Sequence, residues 1–260
     1  MKRVLTAAIA IPLTVLITLY SPDWLFAFVV GLLCAVAVEE FFSLGDKKGF
    51  GRPGRWFLVP AAAVAISFIR GSSDPSWVLN TFVFAVLVLM TSVIFSRPLE
   101  TGLARVGMGL GGVAYCALTL GFLNLMAATM PRELIVLLLV IIWMGDTAAF
   151  YCGRAFGRHL LIPKVSPKKT VEGAVAGLIG SIVVGTLGGV WLLGESVMSL
   201  VAISSVTAIV GQLGDLAESV LKRSAGVKDS SSILPGHGGI LDRLDSLFFA
   251  APVFYWFFNA

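Results

Sequence analysis

The 260-residue chain is 57% hydrophobic and only 13% charged, with a mean hydropathy of +0.93. Too few polar side chains remain to cover a water-soluble globule of this size, so a soluble domain is excluded and a membrane protein is predicted. The formal net charge of +4 is small enough to arise from membrane topology, and no nucleic-acid partner is expected.

Apolar runs able to cross about 30 Å of hydrocarbon recur throughout. In chain order the predicted spans are residues 4–20, 24–44, 57–69, 77–95, 107–130, 134–152, 171–193, 197–221 and 244–259. The expected fold is all-α: a polytopic integral membrane protein with about nine transmembrane helices, the third being the shortest. Lys2 and Arg3 ahead of the first run mimic a signal peptide, but no small-residue cleavage site precedes Ser21-Pro22, so a retained helix is expected. Near the end of the second run, Glu39 and Glu40 either pair with the basic loop GDKKGFGRPGR that follows or line a polar cavity. Closely spaced glycines mark surfaces where membrane helices approach: Gly107, Gly109, Gly111 and Gly112, then Gly173, Gly177 and Gly180. Cys34, Cys116 and Cys152 lack metal-ligand spacing and read as small core residues.

A count of nine spans fixes which connections share a side. Of the 19 lysines and arginines, all but Arg70 and Arg132 fall on the side of the N-terminus, which places that terminus in the cytoplasm. Residues with chemical character concentrate in the second half. The chain is therefore expected to divide into N-terminal transmembrane helices, residues 1–106, and a catalytic transmembrane region, residues 107–260, with cytoplasmic loops 153–170 and 222–243.

Within that region Asp146 interrupts an apolar span in WMGDTAAFYCG. A carboxylate there must pair with a lysine or arginine of a neighbouring helix or belong to a polar site. The following loop carries Ser166, Lys168, Lys169 and Thr170 and enters the next span through Glu172. This run either offers hydroxyls, ammonium groups and helix N-terminal amides to an anion, or is an ordinary basic inner loop. Asp215, Glu218, Ser219 and Lys222 then form a polar stripe at helical spacing. Asp242 and Asp245 share a face if the last helix starts near Ile240. Oxygen ligands such as Asp215, Asp242 and Asp245 suit Mg²⁺, whose shell substrate phosphates would complete. Lys222, Arg223, Lys228 and Arg243 alongside suit a polyphosphate. His237, between glycines, either bonds a phosphate or caps the turn.

From Ser219 to Asp245 the chain resembles the phosphatidate cytidylyltransferase (CDP-diacylglycerol synthase) family. The shared pattern is Ser-x-Leu-Lys-Arg, then Lys228-Asp229, then Pro235-x-His237-Gly238-Gly239-x-x-Asp242-Arg243-x-Asp245. A second block is similar to the family over Asp146-Thr147-Ala-Ala, Gly153-Arg154 and Ser166-Pro167-x-Lys169-Thr170-x-Glu172-Gly173, with Val171 where an aromatic is common. The resemblance implies transfer of the cytidylyl group of CTP to phosphatidate, giving CDP-diacylglycerol and pyrophosphate for phospholipid biosynthesis. It implies Mg²⁺, with room for a second divalent or monovalent cation. With the spacing above, catalysis is expected of Asp242, Asp245, Lys222 and Arg223, and metal binding of Asp215, Asp242 and Asp245. Substrate binding falls to Ser166, Lys168, Lys169, Thr170, Ser219, Lys228, His237, Gly238, Gly239 and Arg243, with Asp146, Glu172 and Glu218 as further candidates.

The expected partners are CTP, phosphatidate and membrane lipid, with a homodimer allowed. The expected place is the cell inner membrane, with the active site on the cytoplasmic side. Two other functions compete. A CTP-dependent lipid-alcohol kinase would release CDP instead of pyrophosphate. A polytopic transporter would carry its charges near the bilayer midplane in paired broken helices, whereas here they cluster toward one face.

Overall fold

The computed structural model describes residues 2–95, 98–194, 196–231, 233 and 238–259, with side chains from residue 8 onward. The chain is helical nearly throughout and divides by packing into two compact units. One comprises Met1–Pro131 with Leu221–Leu244, the other Arg132–Val220 with Asp245–Ala260. This division by packing is distinct from the functional one expected after residue 106.

The first unit contains α1 (Lys2–Tyr20), α2 (Asp23–Lys47), α3 (Leu58–Gly71), α4 (Ser76–Ile94), α5 (Gly102–Gly112) and α6 (Thr119–Thr129). A π-helical turn, Val113–Leu118, joins α5 to α6. There the Thr119 hydroxyl donates to the Tyr115 carbonyl one turn back. The core is aromatic and aliphatic: Phe42 stacks on Phe57 with ring centroids 6.3 Å apart, and Val64, Leu120 and Met126 are fully enclosed. Buried Asn124 donates through Nδ2 to the Ala65 carbonyl at 2.8 Å, tying α6 to α3. Gly109 and Gly112 let α5 meet Leu89 of α4 and Phe42 of α2, as the glycine spacing predicts, whereas Gly107 faces open space. On α4, Leu79, Val83, Phe84, Leu87 and Ile94 stay exposed, the pattern of a lipid-facing helix.

The second unit begins with α7 (Arg132–Phe156), followed by strands β1 (Leu160–Ile162) and β2 (Ser166–Thr170) and by α8 (Val171–Leu193). To it belong most of α9 (Val197–Ser224) and of α10 (Leu241–Asn259). Helices α7 and α8 run in opposite directions almost backbone to backbone: Gly153 lies against Gly173, and Gly145 against Gly177 and Ser181. A Cβ on Gly177 would stand 2.9 Å from the Gly145 carbonyl oxygen. Gly177→Leu is therefore expected to cost about 1–3 kcal/mol and to lower the melting temperature in detergent by roughly 3–10 °C, measured by thermal unfolding.

The hairpin β1–β2 was not foreseen within loop 153–170. Its strands pair antiparallel, Leu160 with Thr170 and Ile162 with Ser166. Pro163 and Pro167 argue against strands in the sequence, but the pairing is short and both prolines sit where it is interrupted or exposed.

Among the described residues, six helical runs are long and apolar enough to cross a membrane: Asp23–Lys47, Ser76–Ile94, Leu99–Thr129, Arg132–Phe156, Val171–Leu193 and Val197–Ser224. The chain is a multi-pass membrane protein. The expected count of about nine is not confirmed by length and composition among the described residues. The described apolar part of α1, Ala8–Tyr20, is short; α3 has 14 residues; and α10 opens with Asp242, Arg243 and Asp245.

Candidate functional site

In the first unit, α9 ends in Lys222 and Arg223, and the chain turns at once: Val227 N–H donates to the Lys222 carbonyl at 3.0 Å. Arg223 serves this turn, its Nη1 donating to the Val227 carbonyl at 2.8 Å. Lys222 instead points inward. Its ammonium donates to Asp242 Oδ1 at 2.5 Å, with the two side chains 10% and 7% exposed.

Asp242 sits in the first turn of α10, where backbone N–H groups favour a negative charge. Its second oxygen, Oδ2, accepts the N–H of Gly239 at 2.8 Å, the N–H of Ser230 at 3.0 Å and the Ser230 hydroxyl at 2.9 Å. Asp242 precedes the apolar run that starts at Leu244. Burial opposes its ionisation, but the Lys222 ammonium and the Gly239 and Ser230 amides prevail and hold its carboxyl below the usual aspartate range.

A further carboxylate enters from α2. Glu40, 2% exposed, accepts through Oε1 from the Ser231 hydroxyl (2.6 Å) and the Ile240 N–H (3.1 Å). Through Oε2 it accepts from the Ser230 hydroxyl (2.9 Å) and the Leu241 N–H (2.7 Å). Two glycines make this possible. Gly238 has φ +79°, in the left-handed region. A Cβ on Gly239 would collide with both the Ser230 hydroxyl and the Glu40 carboxylate. Neighbouring Glu39 behaves as the sequence reading allowed for the pair, taking Arg52 Nη1 at 3.1 Å and Arg55 Nε at 3.3 Å from the basic loop. Lys228 and Arg243 are exposed, and His237 lies outside the described residues.

In the second unit the hairpin presents β2. Lys169 forms an ion pair with Asp215 of α9, while Lys168 is exposed and Ser166 half-buried. Thr170 caps α8, its hydroxyl oxygen accepting the Gly173 N–H at 3.1 Å. Glu172 clasps the turn before the hairpin: Oε2 accepts the N–H groups of Arg158 (3.1 Å) and His159 (3.2 Å), and Oε1 lies 2.6 Å from His159 Nδ1. Gln212 Nε2 donates to the Ala174 carbonyl at 3.0 Å and pins α9 to α8.

Asp245 of α10 is half-buried, and α9 comes close to it through Gly214, whose Cβ would meet the Asp245 carbonyl. Asp215, Glu218 and Asp146 all lie near enough to act electrostatically on Asp245. Three carboxylates of the second unit thus lie within electrostatic reach of Asp245. Glu218 and Ser219 are buried and Asp146 is accessible.

Among the described residues no three histidine, cysteine or acidic side chains are grouped so as to hold a metal ion. The expected ligands fall in both units, Asp242 in the first, Asp215 and Asp245 in the second. Both oxygens of Asp242 are engaged by the first unit's own donors. The donor chemistry fits a hard cation best in the second unit, where Asp245 lies within electrostatic reach of Asp215, Glu218 and Asp146.

Sequence reasoning missed the part played by Glu40, Ser230 and Ser231. The available signal was a glutamate inside an apolar span, which requires a partner. Nothing in the spacing could connect it to a serine run 190 residues later.

Comparison with known proteins agrees with the motif blocks. The Cytidylyltransferase family model matches residues 1–260. The chain is similar to the phosphatidate cytidylyltransferase of Staphylococcus haemolyticus, 34% identical over 265 aligned residues covering 96% of each chain. It is also similar to those of Staphylococcus saprophyticus, 34% over 229 residues and 85% of each chain, and Staphylococcus aureus, 33% over 259 residues and 96% of each chain.

Proposed function

The chain belongs to the cytidylyltransferase family and is a nucleotidyltransferase, and we propose that it converts CTP and phosphatidate to CDP-diacylglycerol and pyrophosphate in phospholipid biosynthesis. The observation that carries this reading is the end-to-end similarity to phosphatidate cytidylyltransferases. The geometry adds chemical sense to it.

Phosphatidate's phosphate is already an anionic nucleophile, so no relay is needed to deprotonate it. One of its oxygens forms a bond to the α-phosphorus of CTP as the bond from that phosphorus to the oxygen bridging the β-phosphorus breaks, and pyrophosphate leaves with the electron pair. The obstacle is repulsion between two anions and charge gathering on the leaving group. In the first unit Lys222 supplies positive charge from a stem fixed by Asp242. In the second, Lys169 does so from a stem fixed by Asp215. Exposed Lys168, Lys228 and Arg243 are suited to meeting CTP from water. Mg²⁺ would be held in the second unit by Asp215 and Asp245 and would neutralise phosphate charge when bound. The strong cationic bias of one set of loops supports the cytoplasmic face of the inner membrane as the place of reaction.

The test is purified full-length protein in detergent with phosphatidate, α-labelled CTP and Mg²⁺. Label is expected in the lipid phase with one pyrophosphate per lipid labelled, and EDTA is expected to abolish both. Release of CDP on addition of a lipid alcohol would support the kinase instead. Absence of either reaction would turn attention to transport.

A further inference from the structure

We propose that Glu40 is a positioning residue for cytidylyl transfer, clamping Ser230 and Ser231 to the start of α10 so that Asp242 and, through it, Lys222 are held in place. The inference rests on the reading that this Lys222–Asp242 pair serves the reaction.

The four donors to Glu40 come from two points ten residues apart in the chain: the Ser230 and Ser231 hydroxyls, and the Ile240 and Leu241 amides. A carboxylate has about four lone-pair sites, and these four donors occupy them. That satisfaction is what permits a glutamate only 2% exposed. A merely tolerated buried acid would need fewer partners, and they need not all come from one loop.

The Ile240 and Leu241 donors are also the leading amides of α10, which an isoleucine at position 240 has no side chain to cap. Glu40 therefore caps α10 from α2 and fixes the helix turn that bears Asp242. The Ser230 hydroxyl ties the two carboxylates more directly. It lies 2.9 Å from Glu40 Oε2 and 2.9 Å from Asp242 Oδ2, and its single proton is shared between them. The absent side chain of Gly239 leaves room for this bracket.

Glu40→Gln tests the clamp with little change in volume, because whichever way the amide turns, its NH₂ faces an α10 amide that cannot accept. In purified full-length protein we expect kcat to fall roughly 10- to 100-fold, the range for groups that orient a functional side chain, with KM for CTP and phosphatidate shifted less than threefold. Trypsin should cut faster after Lys228 or Arg243, identified by fragment mass, while the melting temperature stays close to the parent's. Ser230→Ala with Ser231→Ala should move the same quantities in the same direction. Parental kcat and cleavage rates in Glu40→Gln would overturn the inference, as would a loss of activity accounted for wholly by a loss of folded protein. Asp242→Asn run in parallel separates the two readings. If it retains full activity, the assignment of Asp242 fails; if it is inactive while Glu40→Gln is fully active, only the clamp fails.

Discussion

Asp242→Asn is expected to lower kcat by at least about a thousandfold while the protein still inserts and purifies. The substitution keeps the side chain's size but removes its charge. Lys222, only 10% exposed, would then face a neutral amide, and breaking a buried pair from one side costs about 3–5 kcal/mol. The amide's NH₂ would also meet either that ammonium or the cluster of Gly239 and Ser230 donors, none of which needs another donor. The loss would thus combine a misplaced cation with a loosened loop. Lys222→Met separates the two effects, because it removes the cation and retains an apolar stem. The double variant Lys222→Met with Asp242→Asn discards both charges, so its melting temperature should recover toward the parent's while label transfer to lipid stays lost. Should activity recover along with stability, the pair would be a structural brace and its catalytic assignment would fall.

Much of the fold was legible because a membrane allows few solutions. Helix positions followed from apolar runs, and a close helix approach from Gly173 and Gly177, whose partner α7 only the folded chain shows. The limits of that reading are equally physical. Acidic residues at the start of α10 and the short length of α3 weaken them as spans on composition, whatever their helicity. The hairpin was hidden because strands of three and five residues, one followed by Pro163 and the other containing Pro167, carry too little periodicity to be seen. At the candidate site, residue types and spacing identified Lys222, Asp242, Lys169 and Asp215, but their pairing is tertiary. Arg223 illustrates the gap: its place in the motif could not show that its Nη1 bonds the Val227 carbonyl in the turn after α9. Glu40 illustrates the converse, a residue outside both motif blocks whose four bonds become visible only when α2 meets Ser230, Ser231 and the start of α10.

Asp245→Asn should separate stability from function in the opposite sense. Asp245 shares its surroundings with Asp215, Glu218 and Asp146, so like charges are held near one another inside an apolar helical unit. Neutralising one of them relieves repulsion. The melting temperature is therefore expected to stay level or rise by a few degrees even as kcat falls at least about a thousandfold, the pattern of a site kept at a cost to stability. Asp215→Asn should lose activity similarly but gain less stability, because it also strips Lys169 of its partner. A ligand that binds the folded state raises its melting temperature, so Mg²⁺ should stabilise the parent protein and not Asp245→Asn, a comparison that needs no turnover. Equal stabilisation of both by Mg²⁺, or activity in Asp245→Asn within tenfold of the parent, would remove Asp245 from the proposed ligand set and leave the carboxylates of the second unit without their assigned role.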